Sequence, residues 1–439
     1  MTTLLWLRRD LRVHDHPALE AARKRADHLV PVFCFDDRVL HGRNASGSRT
    51  QFMLECLANL DRSLRARGSR LVVRRGRPEI EIPRLASQTG AGAVHFSGDV
   101  SGFARARDHR VADALAGIAA VHAHPGLFVV DDLDAIRTVA GDPYTVFTAF
   151  HRAWSGQPRR PIHGAPRRLP PLPRGLDAGE LPALSELGLG QEVDDPMPGG
   201  EGEARKRLAR FVARGADDYD AKRNLVAEEG VSRLSPYLHF GCLSARELEE
   251  RVAEPAFRRQ LCWRDFYAHV LLHFPANAHS EHQARYRGTL RWSRSQKHFA
   301  AWCEGRTGYP LVDAAMRQLK REGWMHNRAR LVVGSFLAKD LGIDWRWGER
   351  WFMRLLLDGD QASNNGNWQW IASVGVDPQP AFRRMFNPAR QQARFDPEGE
   401  YVARYVPELR DGNGAGYLEP IVDHAAARRE ALKRYRVPQ

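Results

Sequence analysis

The chain has 439 residues, 43% of them hydrophobic and 27% charged, with 66 Lys and Arg against 53 Asp and Glu for a formal charge of +13. At roughly 150 residues per domain this predicts two or three soluble globular domains and excludes a disordered or fibrous chain. No apolar run approaches the ~20 residues of a membrane span, and the first apolar residues soon meet Arg8 and Arg9, so neither a spanning helix nor a typical signal peptide is expected.

The first 130 residues alternate short apolar runs with helical stretches. Leu4 to Leu7, Leu29 to Phe35, Leu71 to Val73, Ala93 to Phe96 and Leu127 to Val130 read as buried strands. Pro17 to Ala26, Thr50 to Arg67 and Ala104 to Ala116 read as the helices between them, the pattern of a doubly wound parallel sheet. The first strand runs into Arg8-Arg9-Asp10-Leu11-Arg12 without G-x-G-x-x-G, so the usual dinucleotide fingerprint is missing. Nine of the 26 prolines fall between Gly156 and Gly200, where the apolar period disappears, as in a long connection. Beyond it helical signals dominate; Leu311, Val312, Ala315, Met316 and Leu319 share one helical face. The expected organisation is an α/β domain over 1–130, a connection over 131–200 and an all-helical domain over 201–439.

Three segments carry chemistry. Val231-Ser232-Arg233-Leu234-Ser235-Pro236 offers hydroxyls, a cation and backbone N–H groups ahead of a helical stretch, suited to a phosphate or simply to a Ser N-cap with Pro in the first turn. Asp358 to Trp370 packs two acids, three Asn, two Gly and two Trp into thirteen positions, read as a loop that holds a flat ligand by its heteroatom edges. Aromatic and basic residues interleave at Cys262 to Tyr267, Trp324 to Arg330 and Phe382 to Arg384, either as stacking surface beside phosphate-binding Arg or as amphipathic core packing. The five cysteines (Cys34, Cys56, Cys242, Cys262 and Cys303) are scattered and the histidines form no ligand pattern, so no metal is assigned and a reducing cytoplasm is favoured. Only seven of the 66 cations are Lys, and arginine richness also follows from a GC-rich genome, so charge alone does not decide for nucleic acid.

At these residues the sequence resembles the photolyase and cryptochrome family, most of all the bacterial class I cyclobutane pyrimidine dimer photolyases. Leu5-Trp6-Leu7-Arg8-Arg9-Asp10-Leu11-Arg12, Ser232-Arg233-Leu234-Ser235 and the stretch from Thr307-Gly308-Tyr309-Pro310 to Phe386-Asn387-Pro388 carry the likeness, which spans nearly the whole chain. The resemblance implies an antenna domain joined to a helical domain holding U-shaped FAD. It places Tyr219, Val231, Ser232, Arg233, Leu234, Ser235, Arg264, Asn327, Arg330, Asp358 and Asp360 around that cofactor, with Asn364 beside its N5. Trp368, Trp345 and Trp292 match a chain that carries an electron inward to oxidised flavin. Trp263 and Trp370 match the pair enclosing a flipped lesion, and Arg223, Asn327, Arg328, Arg384 and Gln391 match DNA contacts.

The implied reaction is light-driven repair of pyrimidine dimers in ultraviolet-damaged DNA by electron transfer from reduced FAD, in a monomer. Lesion extrusion is a general property of photolyases and is not dictated by these residues alone. Two departures stand out: Gln260 where many dimer photolyases have a Glu contacting the dimer, and Leu331 for a frequent Met. Around Phe103 to Asp108 the chain lacks the Asn-Glu pair with which some relatives hold methenyltetrahydrofolate, so a folate antenna is not expected there; a deazaflavin, another flavin or no second chromophore stay open, with a deazaflavin ahead of a folate. The competing reading is a cryptochrome-like light sensor without repair activity; Asn364 argues for repair, as does the absence of a long extension before Gln439.

Overall fold

The computed structural model describes residues 1–377, 379–410 and 417–436. Five parallel strands, β1 (Thr2–Leu7), β2 (His28–Phe35), β3 (Val72–Arg75), β4 (Ala91–Ser97) and β5 (Ala120–His124), lie in the order β3-β2-β1-β4-β5. β1 and β2 are buried almost throughout, as strands covered by helices on both faces must be, and so read as continuous apolar runs. Helices Pro17–Arg23, Gly47–Arg65, Pro78–Thr89 and Gly102–Ala114 make the crossovers.

In this half one helix comes in addition to those expected and one strand is corrected. The Pro78–Thr89 helix carries a proline at its start and Pro83 inside, which mask its pattern, yet it buries Ile82, Leu85 and Ala86. The fifth strand lies at Ala120–His124 and not at Leu127 to Val130, because an edge strand open to solvent needs no apolar run. Leu127 to Val130 is buried for another reason. The Val129 and Val130 N–H groups donate to Asp265 Oδ2 at 3.0 and 3.2 Å, and Trp154 Nε1 donates to the same oxygen at 3.0 Å.

Past His124 the described residues form no strand, and Leu311, Val312, Ala315, Met316 and Leu319 are buried in the Pro310–Glu322 helix. Helix Phe147–Ser155 falls within 131–200 and packs on helix Pro255–His273, with Phe150 against Phe266 at 5.2 Å. The proline-rich stretch after it runs along the α/β domain, where Leu169 N donates to Arg67 O at 2.8 Å and Val73 N to Ala178 O at 2.7 Å. The end of β1 meets the helical half directly. Arg12 is buried and donates to the carbonyls of His14, Asp15, Gly126 and Gly241, while Gly241, at φ +65°, approaches Arg9 so closely that a Cβ would lie 2.1 Å from its carbonyl oxygen.

Burial raises the Asp265 carboxyl to about 6, against the opposing pull of Arg264 and its three N–H donors. The folded protein therefore keeps this proton to about pH 6 and the unfolded chain loses it near pH 4, so the group's stabilisation is full below pH 4 and fades as pH rises to 6. Relative to Asp265→Asn, which keeps an acceptor but cannot titrate, the wild type should gain about 2 kcal/mol between pH 7 and pH 4 in chemical denaturation. A pH-independent difference would mean that Asp265 stays ionised.

Candidate functional site

Helices Ser235–His239, Pro255–His273, Asn327–Ser335 and Gln361–Ala372 surround a cavity of about 520 Å³. The segment read as a ligand loop is helical from Gln361 onward. Asp360 is its N-cap, accepting from Ser363 N at 2.8 Å, and burial of Ala362, Trp368 and Ile371 overrides the poor helix propensity of Asn and Gly. Its two glycines make room for protein and not for a ligand. A Cβ at Gly359 would lie 2.4 Å from Arg49 Nη1, and one at Gly366 2.1 Å from the Tyr267 ring.

The acids of this segment face arginines inside the cavity. Asp358 pairs with Arg330 at 2.8 Å, and Arg264 donates to Leu127 O at 2.7 Å. Asp360 pairs at 2.6 Å with Arg9, which comes from the end of β1 and also reaches Asp99 at 3.3 Å and His239 O at 3.0 Å. Burial alone would raise the Asp360 carboxyl, but the charges of Arg9 and then Arg264, with the Ser363 N–H, hold it below its ordinary value. Burial and then Arg9 push the His239 imidazole well below its own, keeping it neutral.

Asn364 lines the same cavity and donates Nδ2 to Glu349 O at 3.0 Å, which leaves Oδ1 and one N–H for a ligand. The Ser232 to Ser235 turn forms another part of the wall. Arg233 sits at φ +50°, held by Glu322 at 3.1 Å and by the Trp324 ring 4.4 Å from its guanidinium carbon. Ser235 is not the N-cap; its Oγ accepts from Trp324 Nε1 at 3.3 Å, and Leu234 takes the cap position with no side-chain bond. Trp368 also lines the cavity and lies over Gly348, where a Cβ would meet its ring at 2.1 Å, in the helix that begins at Trp345. Trp345 is fully buried and Trp292 half-buried; neither reaches the cavity.

Tyr219, Val231, Gln260, Trp263, Asn327, Leu331 and Trp370 also line it, together with Arg223 and Arg328. Arg328 donates to Asn224 Oδ1 at 2.7 Å and lies 4.4 Å over Phe395, with no carboxylate in salt-bridge range among the described residues. Arg384 differs from the expectation of a DNA contact. It is 3% exposed, donates to Trp370 O at 2.8 Å, pairs with Asp377 and lies 4.1 Å over the Trp370 ring, so its guanidinium props that indole from beneath. Gln391 lies outside the lining, with Oε1 buried and unpartnered among the described residues.

Acids and amides within, stacking rings and a free guanidinium beside them: this arrangement can hold a large planar anion-bearing ligand with a second aromatic group against it. Residues 3–172 match the family model for DNA photolyase and residues 257–414 that for the FAD binding domain of DNA photolyase. A deoxyribodipyrimidine photo-lyase from a Synechococcus strain is 40% identical over 96% of this chain and 93% of its own. This chain belongs to the DNA photolyase family. Two solved members agree in fold. A bacterial class III photolyase from Agrobacterium tumefaciens superposes with a TM-score of 0.90 at 33% identity over 99% and 97% of the chains, and an archaeal photolyase from Sulfolobus tokodaii, which holds two FAD molecules, with 0.89 at 31% over 99% of each.

The family's flavin fits the residues present. The cavity volume is in the cofactor range of ~300–1,000 Å³, and it is lined by serine hydroxyls, two carboxylates and the part-free amide of Asn364. Sequence reasoning missed Arg9, His239 and Asn224 as lining residues, whereas Trp324 falls in a segment already read as a candidate stacking surface. For Arg9 there was a signal: ligands of α/β sheets sit beyond the carboxyl ends of strands, where β1 delivers it. Removing Arg9 should let the Asp360 carboxyl rise, so a contribution present above its ordinary value would be lost sooner on acidification. In Arg9→Gln the pH at which half the flavin is released, read by its fluorescence, should rise by about 1 pH unit or more; an unchanged midpoint would separate Arg9 from cofactor binding.

Proposed function

We propose that this chain repairs cyclobutane pyrimidine dimers in ultraviolet-damaged DNA using light, with FAD in the cavity. The observation that carries the reading is that Asn364, Asp358 and Asp360 share one cavity with Trp263, Trp370 and Gln260. Reduced and bound there, the flavin would supply on excitation the electron that opens the cyclobutane ring and takes it back afterwards. The protein's part is placement. Asp358, Asp360 and the Ser232 to Ser235 turn hold the cofactor, and Asn364, tied to Glu349 O, offers its carbonyl to the N5 edge.

Trp263 and Trp370 supply stacking faces for an extruded dimer, which pairs and stacks poorly and so costs little to flip. Gln260 can donate and accept there but brings no charge. Arg328, lacking a carboxylate, and the half-buried Arg223, paired at 3.0 Å only with the exposed Asp220 among the described residues, are the phosphate contacts this reading requires. Trp368, Trp345 and Trp292 form the inward electron path; a bridge between Ser293 and Ile343 keeps the outer two indoles on adjacent backbone.

Within the same reading residues 1–130 are the antenna domain, 131–200 the connection and 201–439 the catalytic domain of a cytoplasmic monomer. The α/β domain would seat a deazaflavin or second flavin rather than a folate. Helix Gly102–Ala114 carries Arg107, 4.9 Å over Trp6, and no Asn-Glu pair.

Purified flavin-loaded protein should restore dimer-containing oligonucleotides under blue light and leave them unchanged in the dark. Bound FAD with no light-dependent repair would transfer the assignment to a light sensor. Trp368→Phe should block photoreduction of oxidised flavin, followed by its absorbance, while the chemically reduced variant repairs as the wild type does; undiminished photoreduction in Trp368→Phe would remove that indole from the path.

A further inference from the structure

Trp263 can offer only one face to a ligand. The other is covered by Phe147, whose ring lies parallel to the indole, 3.6 Å between centroids and 2° between planes. The Arg259 guanidinium lies 4.9 Å over Phe147, and with the indole on one face of that ring the cation takes the other. Phe266 meets both rings edge-on, at 5.7 Å for Phe147 and 5.6 Å for Trp263, each at 80°. Phe147 is 7% exposed and does not line the cavity.

The segment that brings Phe147 here is tied to the helix that carries Trp263. Tyr144 N donates to His269 Nε2 at 3.1 Å and Trp154 Nε1 to Asp265 Oδ2 at 3.0 Å, one anchor on each side of Phe147. An indole left free to rotate would lose side-chain entropy on stacking and keep water on its rear face; one already stacked loses neither again.

We infer that Phe147 is a positioning residue of the lesion pocket, a backing plate that fixes the Trp263 plane and keeps its rear face dry. The inference rests on the reading that Trp263 stacks on an extruded pyrimidine dimer. It makes the connecting segment part of the pocket.

The test is binding in the dark of flavin-loaded protein to dimer-containing and undamaged oligonucleotides at one salt concentration, with flavin content as the folding control. Phe147→Leu, apolar but not planar, should lose about 2- to 10-fold in affinity for dimer DNA, corresponding to one newly mobile side chain, and bind undamaged DNA as before. Phe147→Tyr, which keeps the plane, should retain wild-type discrimination. Phe147→Met replaces the leucine variant if that one does not hold its flavin. Unchanged dimer affinity in the non-planar variant, or equal loss on both DNAs, would overturn the inference. Trp263→Ala separates the two levels: if it too leaves dimer binding unchanged, the stacking role of Trp263 fails; if it alone weakens binding, only the role of Phe147 does.

Discussion

Two guanidiniums at the end of the first strand set the relation between the halves of the molecule. Arginine cannot shed its charge in a protein, so a buried one must find acceptors for its rigid fork of donors. Arg12 finds them on carbonyls from its own loop, from Gly126 and from Gly241 across the junction. Losing one such acceptor costs on the order of 1–3 kcal/mol, and the glycine at 241 is needed because no side chain fits where the two backbones meet. Three residues earlier, Arg9 uses the same junction to reach Asp360 inside the cavity. The α/β domain therefore contributes to the floor of the site as well as standing beside it.

The Pro255–His273 helix is the second organising element, because its faces do different work. Trp263 and Arg264 look into the cavity, Asp265 gathers Val129, Val130 and Trp154, and His269 takes the Tyr144 N–H while its Nδ1 meets Leu133 O. One rigid helix thus fixes both the aromatic ring proposed to receive a base and the segment that backs it. Sites mounted on such elements hold their geometry better than sites on loops.

Charge pairing separates arginines that look alike. Arg384 and Arg328 both lie against aromatic rings at the same helical domain. Arg384 is neutralised by Asp377 and buried beneath Trp370, whereas Arg328 has only the neutral amide of Asn224 and two cationic neighbours, Arg394 and Arg223, that with burial lower its pKa. A phosphate brought up to them would meet an uncompensated guanidinium at Arg328 and one already paired with Asp377 at Arg384.

The parallel sheet, the helical second half and the stretch from Asp358 to Trp370 were legible in the sequence, because each depends on short-range properties: buried strands are continuous apolar runs, helices repeat apolar residues on one face, and a concentration of acids, amides and indoles is visible in thirteen positions. The family resemblance singled out residues that the fold gathers around one cavity. What lay beyond reach were features decided by partners far along the chain. The edge strand at Ala120–His124 has no apolar signal, and Leu127 to Val130 is buried by an aspartate 135 or so positions away. The loop became a helix because core contacts outweighed propensity, and its glycines answer to Arg49 and Tyr267. Arg9 in the cavity, Arg384 beneath an indole and Phe147 behind Trp263 are all choices of partner, and partner choice is set by packing in three dimensions, where local sequence has no say.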